Sequence, residues 1–260
     1  MKKAFIAAFI GWTSWAFAQR PSEQVVTALV ETARQRALAY TETLPDFLAT
    51  EIVHRYTGGY LDGYGGRPID VLTIQLRYYR HKEDHKLTLV DGKPTKQTFD
   101  TLQGTVGTGE FGSTLAAIFE PASQIAFHWQ SWKTVRGRKL AVIGYEVTST
   151  KSRYRLGSTA DGKTIEADCG YHGELDIDPD TGEVVHFEYA ADHIPESLGL
   201  TNAKVTVDYG MAEIAGRNYL LPARSELLMG SKTSFARNII EFREYRKFSA
   251  DSTVDFGPAK

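Results

Sequence analysis

The spacing of hydrophobic positions along this chain changes period once. Over residues 22–42 the apolar side chains Val26, Val30, Ala33, Ala37 and Tyr40 recur every three or four positions, with Glu31, Arg34 and Gln35 away from that stripe. This is the period of one face of a helix, and it predicts an amphipathic helix over roughly 22–42. Ser22 supplies the N-cap and Glu23 places a carboxylate in the first turn, where it suits the helix dipole. Pro45 ends the helix, because the residue before a proline avoids helical angles.

Beyond Pro45 the period is two. Over 50–56, Ile52, His54 and Tyr56 share one face; Leu72, Ile74, Leu76 and Tyr78 share another, separated by Thr73, Gln75 and Arg77. Residues 86–90 run into Asp91-Gly92, a two-residue hairpin signal. The alternation returns at Ile125, Phe127 and Trp129, and after the turn at Arg136-Gly137 at Ala141, Ile143, Tyr145 and Val147. Tyr171, Gly173, Leu175 and Ile177 lead into the turn Pro179-Asp-Thr-Gly182, which Val185, Phe187 and Tyr189 leave. Val205, Val207 and Tyr209, a turn around Gly216-Arg-Asn218, and two strands near 219–228 and 238–248 complete the series. A second, short helix is predicted at Ser113–Phe119, inside the long connection between two strand groups.

Tight turns between consecutive strands make the sheet antiparallel, and the absence of alternating helices excludes a doubly wound parallel sheet. The predicted fold is therefore mainly β (α+β). It is a curled antiparallel sheet, an unclosed barrel or half-barrel, with one N-terminal amphipathic helix laid on its concave side or open mouth and one short helix in a long connection.

The N-terminus departs from this scheme. Lys2 and Lys3 precede an apolar run from Ala4 to Trp15, and Ala16-Phe-Ala18 supplies the small residues that a signal peptidase reads. Residues 1–18 are predicted to be a signal peptide, with cleavage before Gln19 and 19–260 forming a single β-rich domain in the periplasm or secreted. The run is too short to span a bilayer, no cysteine follows it for lipid attachment, and no later segment predicts a transmembrane span.

Composition is that of a protein with a real core: 42% hydrophobic and 24% charged. Loss of the two signal lysines takes the net charge from −2 to −4. That balance argues against nucleic acid as a partner. The basic clusters Arg136-Gly-Arg138-Lys139 and 243–247 read as solvated strand faces. With Cys169 as the single cysteine, no internal disulfide can form, and the core must stabilise the fold unaided.

No catalytic or metal constellation outweighs its structural alternative. Gly107-Thr-Gly109-Glu-Phe-Gly112 has glycine spacing suited to a phosphate loop, but no strand leads into it; a loop ending in a helix start accounts for it. Asp176-Ile-Asp178-Pro-Asp180-Thr-Gly182 resembles the front of a calcium loop, with glycine one position late and Phe187 where glutamate should stand; a hairpin turn is expected. His81 and His85, with Glu83 and Asp84 between them, are expected to be solvated loop residues rather than metal ligands. Cys169 and His172, three apart in a strand, would point to opposite faces, so Cys169 is read as a small buried hydrophobe. No catalytic residue, metal or cofactor is assigned.

Most of the 13 Phe, 13 Tyr and 4 Trp side chains are expected to fill the core, but a curled sheet with one helix has a large concave face, and an apolar cavity left there would suit a lipid or acyl chain. A helix ending near Ala39-Tyr-Thr-Glu-Thr-Leu44, the antiparallel series after it, and the hairpin Gly173-Glu-Leu-Asp-Ile-Asp-Pro-Asp-Thr-Gly-Glu-Val184 together resemble the periplasmic lipoprotein-carrier superfamily of LolA, LolB and RseB. The chain also looks like exported bacterial proteins carrying Leu44-Pro-Asp-Phe47, Thr108-Gly-Glu-Phe-Gly112 and Tyr245-Arg-Lys-Phe248. The resemblance covers most of 22–248 as a layout and implies an unclosed barrel that holds acyl chains beneath helices. The expected function is an exported periplasmic binding protein holding a lipid, acyl chain or hydrophobic peptide. Val26, Val30, Ala33 and Ala37 would form a lid helix, and the partner would be a lipid or lipoprotein. The alternative is a non-enzymatic envelope accessory protein with a filled core, docking to an envelope protein through loops 57–68 and 104–113. A hydrolase using dispersed carboxylates is the third reading.

Overall fold

In a computed structural model of the chain, the structure describes residues 20–59, 65–102, 113–121, 124–152, 154–160 and 163–248. The expected signal peptide and the glycine-rich stretch 107–112 lie outside these residues.

Helix α1 spans Glu23–Thr43, and Ser22 caps it by accepting a hydrogen bond from the Val25 amide at 3.4 Å. Helix α2 is Ser113–Phe119, as its short apolar run predicts. The strands β1 (Phe47–Gly59), β2 (Arg67–Tyr79), β3 (Lys82–Val90) and β4 (Lys93–Pro94) precede α2. After it come β5 (Ala126–Val135), β6 (Arg138–Val147), β7 (Arg155–Ala160), β8 (Lys163–Asp168), β9 (Gly170–Ile177) and β10 (Val184–Asp192). The last three are β11 (Leu200–Ile214), β12 (Arg217–Ser231) and β13 (Ser234–Lys247).

Eleven strands form one sheet in the order β4-β3-β2-β1-β13-β12-β11-β10-β9-β6-β5, every pair antiparallel. Strands β4 and β5 do not meet, so the sheet is curled but unclosed. Local turn chemistry sets this order. Asp91 and Gly92 both adopt positive φ, as the tight hairpin between β3 and β4 requires. The long β11–β12 hairpin turns at Ala215-Gly216, one residue before the predicted position, because these are the two residues with left-handed backbone.

One face of the sheet carries the core. Ile143, Tyr145 and Val147 of β6, Leu175 and Ile177 of β9, and Phe187 of β10 pack beneath α1 and α2. A second cluster gathers Leu72, Ile74, Leu76 and Tyr78 of β2 with Phe47 and Val53 of β1 and Phe242 of β13. In β2 the buried positions are those the alternation predicts; in β6 the predicted Ala141, Ile143, Tyr145 and Val147 are buried, and so are Leu140, Val142 and Gly144 between them.

Three features differ from the sequence reading. Strands β7 and β8 form a separate two-stranded sheet that was not anticipated. Of their residues Leu156 is buried in a small satellite cluster with Cys169, Leu198 and Ala203, so the segment has no apolar face for periodicity to reveal. In β1 the face with Ile52, His54 and Tyr56 is only partly buried, whereas Ala49, Glu51, Val53 and Arg55 are buried on the core side. Finally, His85 is no solvated loop residue. Its segment belongs to β3, and His85 stands opposite the buried Leu76.

Candidate binding groove

The stripe expected to form a lid is the packed face of α1. Ala33 is wholly buried, Val30 and Ala37 nearly so, and Val26 packs at the margin of the same cluster. Leu115, Ile118 and Phe119 of α2 join them. The β9–β10 turn presses against the helix from the side. Gly182, at φ 75°, lies so close that a Cβ there would meet the Thr32 methyl at 2.5 Å. This tight turn is built by Asp178, whose backbone carbonyl accepts from the Gly182 amide at 2.8 Å and whose carboxylate accepts from the Asp180 amide at 2.9 Å.

A cavity of about 210 Å³ opens between the C-terminal half of α1 and the sheet. Ala37, Ala39, Tyr40 and Leu44 form the side that follows α1, Leu115 belongs to α2, and Val184, Tyr209 and Leu220 come from β10, β11 and β12. Arg36, Glu183 and Asn218 supply its polar lining. The Tyr40 and Tyr209 rings meet edge to face, 6.1 Å apart. The Tyr40 hydroxyl is buried without a hydrogen-bond partner, and burial, reinforced by the neighbouring tyrosines and Glu83, raises its pKa well above that of a free phenol.

The same side of the sheet holds a buried polar cluster that periodicity did not reveal. His85 Nδ1 lies 3.2 Å from Glu51 Oε1, and His85 Nε2 lies 3.6 Å from Glu83 Oε2. Burial disfavours the charged ring, but the two carboxylates outweigh it and raise the His85 pKa from 6.5 to about 10. A folded-state pKa above the unfolded value means that the contribution to stability is complete below about pH 6.5 and is lost as pH rises to about 10. The urea midpoint of the wild type should therefore fall across that window, and His85→Gln should flatten the fall. Equal slopes in the two proteins would show that the ring is not held charged. The signal for this cluster in sequence was the alternation Glu83, His85, Leu87, masked by the charges between them.

The remaining candidates are tied up structurally. Asp176 pairs with Lys133 at 2.8 Å and Asp178 with Arg138, so the calcium-like segment is a turn braced by cations. Hydrogen bonds from the Asp180 amide and Arg138 overcome burial and lower the Asp178 pKa. His172 is exposed and pairs with Asp192 at 2.8 Å, apart from the buried Cys169, whose pKa is raised by burial and by Asp168. His81 sits in the exposed β2–β3 turn with φ 61°. The cluster at 136–139 divides between the β5–β6 turn at Arg136-Gly137, Arg138 on Asp178, and Lys139 over the Trp132 ring at 4.0 Å. Among the described residues no group of three or more His, Cys, Asp or Glu side chains is placed to hold a metal ion, and no helix is long and apolar enough to cross a membrane.

No protein-family model matches the chain, and no curated protein matches it. Among solved structures, a LolA superfamily protein from Nitrosomonas europaea is similar with a TM-score of 0.38 and 9% identity, over 86% of this chain and 93% of that one. A DUF1329 family protein from Desulfovibrio piger is similar with a TM-score of 0.39 and 11% identity, over 89% and 97% of the two chains. A structure described as an outer membrane lipoprotein-sorting protein domain, from Vibrio parahaemolyticus, gives 0.40 and 12%, over 87% and 95%. At these scores the likeness carries no functional inference.

Proposed function

We propose that this protein is a non-enzymatic, periplasmic carrier that holds a single apolar chain, such as a lipid acyl chain, between α1 and the curled sheet. The observation that supports this reading most directly is the cavity roofed by α1. Its volume lies below the range of roughly 300–1,000 Å³ common for ligand pockets, so the chain enters as α1 shifts outward. The seam suits such a shift. Val30, Ala33 and Ala37 are small, and burying a valine is worth only about 1.5–3 kcal/mol. The helix thus excludes water without being locked down.

Native mass spectrometry of the protein recovered from its own cell envelope tests the reading. The mature mass should begin at Gln19 and should be accompanied by a non-covalent lipid adduct. Ala39→Trp, an exposed position on the cavity lining, should leave the melting temperature unchanged and remove the adduct. An adduct-free wild type, or adducts indifferent to Ala39→Trp, would sink the carrier reading. The filled-core accessory protein would then take its place, a reading favoured by the two large clusters of buried apolar side chains.

A further inference from the structure

Arg36 and Glu183 stand at the same end of the groove. The β9–β10 turn brings Gly182 against Thr32, Glu183 follows Gly182 in the chain, and Arg36 lies one helical turn beyond Thr32 on the same face of α1. Both side chains line the cavity. They do not pair. Among the described residues Arg36 makes no ion pair or hydrogen bond, and the Glu183 carboxylate meets only the Thr181 hydroxyl, at 3.3 Å. Neighbouring charges are already engaged. The positions three and four away from Arg36 along α1 are Thr32, Ala33, Ala39 and Tyr40, and the nearest acid on the helix, Glu31, holds Arg34 and Gln35. Around the turn, Lys133 pairs with Asp176 and Arg138 with Asp178. The Glu183 backbone is fixed in place, since its carbonyl accepts from the Asp178 amide at 2.9 Å.

A single exposed charge is satisfied by water and points to nothing. Two opposite charges that line one end of an apolar cavity without meeting leave a gap, and a molecule carrying both signs completes it. Its anion meets the guanidinium, a planar fork of N–H donors, and its ammonium meets the carboxylate. A head group of one sign would gain one contact and face a like charge across the gap. The rest of the cavity fits the rest of such a molecule. Ala37, Tyr40 and Leu44 follow one another along α1, over roughly 12 Å from Arg36, while Val184, Tyr209 and Leu220 form the sheet side. We infer that the Arg36–Glu183 end of the groove receives the zwitterionic head group of a single-chain amphiphile, its anion against Arg36 and its ammonium against Glu183, with the apolar chain running toward Leu44. This rests on the carrier reading above and adds a head-group preference to it.

The test is displacement of a neutral apolar dye by dodecylphosphocholine, dodecyl phosphate, dodecyltrimethylammonium and dodecanol, each below its micelle-forming concentration. The assay runs at pH 7.5 and roughly 0.05 M salt, where exposed charges are weakly screened. Dodecylphosphocholine should compete at a concentration about fivefold below that of dodecanol, the worth of two partly exposed charge contacts. The two singly charged chains should lie near dodecanol. Arg36→Gln should bring dodecylphosphocholine level with dodecanol, weaken dodecyl phosphate and strengthen dodecyltrimethylammonium. Glu183→Gln should likewise remove the zwitterion's advantage but move the two singly charged chains the opposite way, and it provides the comparison should Arg36→Gln not fold. Dodecanol should be unchanged in both. Equal competition by dodecylphosphocholine and dodecanol in the wild type, or a zwitterion preference that survives both substitutions, overturns the head-group site and leaves the groove intact. Failure of all four chains to displace the dye, or of the dye to bind, overturns the groove and the head-group site together.

Discussion

Asp70→Asn is expected to lower the melting temperature by on the order of 10 °C. Asp70 holds Arg55 through two hydrogen bonds, 2.7 Å from Nε and 2.6 Å from Nη2, directly across the β1–β2 pair. Arg55 is 2% exposed, so its guanidinium cannot recover water when the counter-charge goes. Breaking a buried pair on one side costs about 3–5 kcal/mol, and in a domain of this size each kcal/mol lowers the midpoint by roughly 2–4 °C. The double variant Arg55→Met with Asp70→Leu should recover much of the loss, because it removes both charges at once. Thermal melts of the three proteins decide the matter. An Asp70→Asn protein that melts with the wild type would mean that Arg55 is solvated in solution.

Gly173→Ala should cost about 3 kcal/mol or more, and the melting temperature should fall by roughly 6–12 °C. Gly173 lies between two tyrosines, opposite Tyr145 on β6 and Tyr189 on β10. The Tyr145 ring uses the missing side chain as a passage: its hydroxyl reaches across β9 and donates to the Glu188 carbonyl at 3.0 Å. A Cβ on residue 173 would stand 1.9 Å from that carbonyl and 2.6 Å from the hydroxyl. The first contact is with backbone, so repacking the ring cannot relieve it, and the β9–β10 pairing must shift instead. A melting curve superimposable on the wild type's would refute this account of the Tyr145–Glu188 contact.

These positions also mark where the sequence could and could not be read. The alternation in β2 named the buried face correctly, and that in β6 named one of its two buried faces, because the inward residues there are apolar; the Ser22 cap, the α1 stripe and the Asp91-Gly92 turn are local signals that need no partner. In β1 the inward face carries Glu51 and Arg55, so hydrophobicity alone favoured the wrong side. The charges are held inside by neighbours that other strands supply, Asp70 for Arg55 and His85 for Glu51 among them. His85 was obscured for the same reason: a stretch of six polar residues, 81–86, reads as solvated until pairing with β2 turns every second one inward. The helix side of the groove was legible as a small-residue stripe, whereas the sheet side, assembled from β10, β11 and β12, exists only in three dimensions.

An unclosed sheet has two free margins, and free margins invite one molecule to polymerise onto the next through backbone hydrogen bonds. Here both are blunted. At one end β4 contributes only Lys93 and Pro94, and the uncovered part of β3 begins with Lys82, Glu83 and Asp84. At the other, β5 is bent by an irregularity between Trp129 and Ser131 and then presents Lys133. Short length, proline, lysine and a kink each interrupt the regular ladder that a second copy would need. The sheet can therefore stay open along its length without becoming a template for self-association.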